Sequence, residues 1–253
     1  MSARAWVEHL MGMPVSIHVR CADPRSPDVE KAVAAAYHEL ARLEEVFSTW
    51  RPESHVSRLV RGDIPLSHCD PLVGEVAELC AQATEATAGT FTAHLPDATG
   101  QRVFNPTGLV KGWAVDRAGR ILAGLPGAAW CINAGGDLLV GRHRYVRPEG
   151  EDGAPWRIGI EDPTDRSRIA RVVPILEGAV ATSGTAARGA HLFDPRSGTW
   201  VDRLASVTVA GPELMWADIW ATALFVGGAD AVRAFDRSLE ARPDYSWWGQ
   251  GFD

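Results

Sequence analysis

Between residues 5 and 20 apolar and polar positions alternate closely enough to predict one or two β-strands. The pattern changes at Asp28–Phe47, where VEKAVAAAYHELARLEEVF is rich in alanine and leucine with apolar residues at helical spacing, so a helix is expected. STWRPESHVSRL (48–59) reads as a turn and a short polar segment. Asp70–Ala88 predicts a second helix, with Asp70 as N-cap and Pro71 in the first turn. GTFTAHLPDATGQRVFNPTG (89–108) is irregular, and LVKGWAVDRAGRILAG (109–124) predicts a third helix closed by glycine. AAWCIN (128–133) is a short strand entering the turn AGGD (134–137). WRIGIED, ARVVPIL, GAVATSG and SVTVAG predict further strands, a helix follows over 215–225, and another covers roughly 229–240. The tail PDYSWWGQGFD reads as aromatic coil docked on the surface. Strands and helices mix without regular βαβ alternation, so the expected class is α+β, with mixed or antiparallel sheets packed against helices. No repeat or linker interrupts the chain, and residues 1–253 are expected to form one domain.

One helix breaks its own pattern. MWADIWATALF (215–225) is apolar almost throughout, yet Asp218 and Thr222 sit four residues apart, on one helical face. A buried carboxylate needs a cation, a metal or several hydrogen-bond donors. Two hard oxygen ligands are too few to cage a metal, but Mg2+ takes one or two carboxylates and completes its shell with water and substrate phosphates. The alternative is an aspartate capping a neighbouring backbone and a threonine bonded back to its own helix.

Composition narrows the partners. A net charge of −7 and a pI near 5.6 exclude a general basic surface for nucleic acid, and no segment approaches the length needed to span a bilayer. The N-terminus lacks the charged start and continuous apolar run of a signal peptide, so a cytoplasmic protein without membrane insertion is expected. Cys21, Cys69, Cys80 and Cys131 show no metal spacing and are expected as reduced thiols. Lysine occurs only at positions 31 and 111, which draws attention to Lys111.

Other polar islands fall at element boundaries. Lys111, in the first turn of its expected helix, would be relieved by a phosphate at that helix start, or is simply solvated. INAGGDLLVG (132–141) is either a close-approach ligand turn or a hairpin turn, and neither GxGxxG nor GxxxxGK[ST] is present. ATSGTAARGAHLFDPRSG (181–198) offers Thr182, Ser183 and Gly184 as small donors, His191 as a titratable group, and a DPRSG turn. FSTWRPESHVSRL (47–59) sets Trp50 beside Arg51, suited to stacking on a planar ring or to capping the core. Jointly these are the parts of a site for a planar, pyrophosphate-bearing nucleotide.

The ordered series MG·P·SI (11–17), FSTWRPESHVSRL, GTFTAH (89–94), GLVKGWAVDRA (108–118), INAGGD, WRIGIEDP, ATSG…HLFDPRSG, SVTV and ADIWATALFVGG resembles the ApbE family, the FAD:protein FMN transferases, over nearly the whole chain. The resemblance implies a T-fold-like flavin transferase architecture. The implied reaction is Mg2+-dependent cleavage of FAD, attachment of FMN through a phosphoester to a Thr or Ser of an acceptor flavoprotein, and release of AMP. By motif, Asp218, Thr222 and the backbone carbonyl of Gly108 would be metal ligands, and Lys111 would lie near the phosphates. Met11, Trp50, Thr90, Phe91, Thr92, Asn105 and Leu192 would line the flavin nucleotide. Lys111, Asp218 and His191 form the implied catalytic group, His191 being the candidate base. The chain departs from the family pattern at Asn105 and Thr92, where relatives usually carry acids, and its segment between Ser183 and His191 is short. A Mg2+-dependent FAD pyrophosphatase and a flavin-binding protein without turnover are therefore alternatives.

Overall fold

The computed structural model describes residues 2–143, 154–185, 192–202 and 205–250. Its centre is a seven-stranded sheet, antiparallel at every pairing, in which β1 (Ser2–Leu10), β2 (Met13–Cys21), β5 (Ala129–Ala134), β6 (Asp137–Arg142), β9 (Gly178–Gly184), β12 (Ser206–Gly211) and β13 (Ser246–Gln250) lie in that order. Between β2 and β5 the chain leaves the sheet. It builds α1 (Pro27–Phe47), α2 (His55–Arg61), a 3-10 turn (Leu66–His68), α3 (Pro71–Ala86), the hairpin β3 (His94–Pro96)–β4 (Arg102–Phe104) and α4 (Thr107–Leu122). β7 (Trp156–Glu161) and β8 (Ile169–Ile175) form a second hairpin, β10 (Leu192–Asp194) and β11 (Thr199–Val201) a third, and α5 (Leu214–Gly227) and α6 (Ala229–Ser238) precede β13. The α+β expectation holds, with antiparallel sheets and six α-helices among the described residues.

Alternation along the strands assigns the two faces of the sheet. Val15, Ile17 and Val19 of β2, Ala179 and Ala181 of β9, and Val207 and Val209 of β12 join the helices in the main core. The intervening Val180 turns the other way and packs with Ile158 and Ile160 of the β7–β8 hairpin, beside Leu138 and Trp248.

Several elements differ from the sequence expectation. The polar segment after Phe47 contains α2, capped by the Ser54 hydroxyl and closed by Gly62 at φ +78°. Ser, His and Arg mask its short apolar stripe, of which only Val56 is buried. The irregular 89–108 stretch holds the β3–β4 hairpin. The tail is not coil: Ser246–Gln250 pairs with β12 and places Trp248 opposite Thr208. Asp70 caps α3 as expected, accepting the Leu72 N–H at 2.9 Å.

The helix pair α4–α5 sets the positions that matter most. Of the fourteen residues of α5 only Thr222 is not buried, so this helix is enclosed by the rest of the chain. It is held from α4 at two points. At Gly112 the backbones meet so closely that a Cβ would lie 2.7 Å from Met215 Cα and 2.9 Å from the Leu214 carbonyl oxygen. One turn on, the Asp116 carboxylate accepts the N–H groups of Leu214 (2.8 Å) and Met215 (2.9 Å), satisfying orphan donors at the start of α5. Burial pushes the Asp116 carboxyl up to about 6 against the opposing pull of those N–H bonds.

Gly112→Ala is expected to destabilise the fold by about 1–3 kcal/mol through overpacking, outweighing the helix propensity that alanine adds, about 1 kcal/mol. Urea unfolding checks this; an unchanged midpoint would contradict so close a crossing.

Candidate functional site

Two hairpin turns sit side by side at one end of the sheet. Met11 (φ +55°) and Gly12 (φ +73°) link β1 to β2, and Gly135 (φ +63°) and Gly136 (φ +105°) link β5 to β6. Positive φ at both central residues is what two-residue hairpin loops of type I′ require. The Gly135 N–H donates to the Pro14 carbonyl and the Gly136 N–H to Asn133 Oδ1, so the AGGD segment is a hairpin turn. Facing these turns are the N-terminal part of α4, the exposed end of the α5 stripe, and the last residues of β9. They enclose a cleft of about 690 Å3, of the size usual for ligand sites, about 300–1,000 Å3.

At its floor lies a buried charge cluster. Lys111 Nζ sits between two carboxylates, paired with Asp137 Oδ2 and, at 3.1 Å, with Asp218 Oδ2. Asp137 and Asp218 are 3% and 5% exposed. Asp137 is fixed further by the Thr182 N–H, which donates to Oδ1 at 2.8 Å. Burial lowers the Lys111 ammonium's pKa, but the charges of Asp137 and Asp218 more than offset it, and the net direction is upward. The Thr222 hydroxyl lies 3.1 Å from that of Ser183. Asp218 and Thr222 thus share one face of α5, as the i, i+4 spacing predicts, with Asp218 paired to Lys111 and Thr222 within hydrogen-bond reach of Ser183.

Lys111 is the fifth residue of α4, two residues further in than the sequence suggests, because the helix starts at Thr107. Asn105 explains that start: its Oδ1 accepts the Thr107 N–H at 3.2 Å and the Thr107 hydroxyl at 2.6 Å. Thr92, at the other position where an acid was expected, accepts the His94 N–H at 3.0 Å. Both neutral residues hold local turns at the cleft wall.

The remaining expected residues reach the same cleft. Met11 enters from the first hairpin turn, Trp50 from the loop after α1, Thr90 and Phe91 from the segment after α3, Gly108 from α4 and Leu192 from β10. Trp50 is 92% exposed and lies at the mouth. His191 is outside the described residues. Asp137 was not among the residues expected to act, and Ser183 was expected only as a small donor at a strand end. For Asp137 the available signal was an acid placed directly after two glycines and before an apolar strand.

The donors here are hard oxygens: the Asp137 and Asp218 carboxylates, the Ser183 and Thr222 hydroxyls and the backbone of Gly108. Among the described residues no three of His, Cys, Asp and Glu gather as a cage. The oxygen donors of this cleft fit a partial shell of the kind Mg2+ accepts.

A sequence model of the ApbE family matches residues 11–100 and 98–243. The chain belongs to the ApbE family. Among curated ApbE relatives, it is 30% identical over 133 residues to the FAD:protein FMN transferase of Klebsiella pneumoniae, covering 49% of this chain and 36% of that protein. It is 33% identical over 133 residues to that of Vibrio cholerae, covering 48% and 38%. These alignments span well under half the length of the curated relatives. Solved ApbE structures share the fold over nearly the whole chain. The ApbE protein from Thermotoga maritima superposes with a TM-score of 0.73 at 22% identity, covering 97% of this chain and 93% of that one. The flavin transferase ApbE from Vibrio cholerae gives 0.72 at 20% identity, covering 99% and 97%.

Lys111→Met would leave Asp137 and Asp218 facing each other in a buried site. Breaking such a pair costs about 3–5 kcal/mol. Chelator-treated Lys111→Met is therefore expected to unfold at a clearly lower denaturant concentration than wild type near neutral pH. Denaturant melts test this; a midpoint equal to that of wild type would contradict the pairing of Lys111 with both acids.

Proposed function

We propose that this chain is a Mg2+-dependent FAD:protein FMN transferase that esterifies a Thr or Ser hydroxyl of an acceptor flavoprotein. One observation carries the reading: residues from separate stretches of an ApbE chain converge on one ligand-sized cleft with a lysine and two acids at its floor.

Met11, Trp50, Thr90, Phe91, Thr92, Asn105 and Leu192 would hold the flavin nucleotide, and the Lys111 ammonium would lie against its phosphates. Asp218, Thr222 and the Gly108 carbonyl would hold Mg2+, which when bound neutralises negative charge on the phosphoryl oxygens. The acceptor hydroxyl oxygen attacks the phosphorus of the FMN half in line, a P–O bond to that phosphorus forms as the pyrophosphate P–O bond breaks, and AMP departs. The hydroxyl proton passes to a base, a role the family resemblance gives to His191. The buried floor keeps the cationic groups poorly hydrated, which strengthens their hold on developing charge.

With FAD, Mg2+ and an acceptor domain bearing a target Thr, the expected products are AMP and an acceptor heavier by one FMN phosphoester, read by chromatography and intact mass. Asp218→Ala is expected to cut AMP release by about a hundredfold or more. AMP with an unlabelled acceptor would replace the proposal with a pyrophosphatase. FAD retained with no AMP would replace it with a flavin-binding protein, and wild-type rates from Asp218→Ala would remove the metal assignment.

A further inference from the structure

The floor of the cleft holds two buried carboxylates and one part-buried ammonium, and therefore one net negative charge. We propose that Lys111 is the resident counter-cation of Asp218, that Asp137 is the residue positioning it there, and that a divalent cation must take Asp218 from this lysine. The inference rests on the flavin-transferase reading of the same cleft and adds to it the reason why metal and nucleotide enter together.

The geometry carries the idea in three steps. Asp137 holds Lys111 from the sheet side and is itself fixed by the Thr182 N–H, so this half of the clamp belongs to the rigid end of β6 and β9. Asp218, on α5, takes the same ammonium at 3.1 Å, within direct contact range. A cation bound at Asp218 alone would therefore sit close to Lys111, and like charges at such range in a poorly hydrated site repel strongly. A divalent ion arriving without nucleotide turns one net negative charge into one net positive charge. A pyrophosphate arriving without the ion adds negative charge to a floor that is already negative. Either alone shifts the charge of the floor by about two, and the two together return it to its resting value. Asp137 has a positioning role, because it acts by keeping Lys111 on the sheet side when Asp218 turns to the ion.

The test is a calorimetric titration of Mn2+ into nucleotide-free protein. Wild type is expected to bind weakly. Lys111→Met is expected to bind about tenfold or more tightly, since the repelling ammonium is gone and both carboxylates are released. Lys111→Gln serves in its place where the methionine variant fails to fold, which circular dichroism reports. Lys111→Arg keeps the charge and is expected to bind as weakly as wild type, an outcome that separates charge from packing. Equal or weaker Mn2+ binding by a folded neutral variant overturns the proposal. So does tight binding by the arginine variant. If wild type binds Mn2+ in neither the absence nor the presence of FAD, the metal assignment itself fails and this inference falls with it. If FAD-dependent Mn2+ binding is intact while the neutral variants gain nothing, only the counter-cation role is lost.

Discussion

The close docking of α5 on α4 is the constraint from which the rest of the site follows. A helix whose sides are almost all buried cannot present two polar residues to a ligand unless its rotation and height are fixed. Gly112 lets the backbones touch, and the Asp116 carboxylate takes the first N–H groups of α5. With the helix so fixed, Asp218 meets Lys111, and Thr222 meets Ser183. The GLVKGWAVDRA stretch thus combines functions on one helix. Lys111 serves the cleft, Gly112 the crossing and Asp116 the cap.

The sheet contributes the opposite wall by a different route. Two-residue hairpin turns need positive φ, which Met11–Gly12 and Gly135–Gly136 supply. Placed side by side, the β1–β2 and β5–β6 turns open the space that the nucleotide is proposed to fill, and the second turn delivers Asp137 to the lysine. No single element forms the site. It exists where helix ends, strand ends and turns from distant parts of the chain meet.

Much of this was legible in the chain. Long helices such as Pro27–Phe47 announce themselves through period and caps, and the pair Asp218 and Thr222 stood out because polar residues in an apolar run need a partner. The ordered motifs pointed to the family, which the match over residues 11–100 and 98–243 establishes. What was missed depended on contacts far apart in sequence. The strand over Ser246–Gln250 exists because β12 offers it an edge, and its aromatic, glycine-bearing sequence carries no alternation of its own. The ion pairs of Lys111 join positions 111, 137 and 218, and no local pattern encodes that meeting. Asn105 and Thr92 looked like losses of function, yet each holds the backbone turn that shapes the cleft wall.

The most direct test of the account is a titration of FAD into the purified protein, followed by flavin fluorescence with and without Mg2+. If the cleft binds the nucleotide through the cluster at its floor, FAD fluorescence changes saturably, Mg2+ tightens the binding, and Asp218→Asn removes that Mg2+ effect. Binding that ignores both Mg2+ and Asp218, or no binding at all, would contradict it.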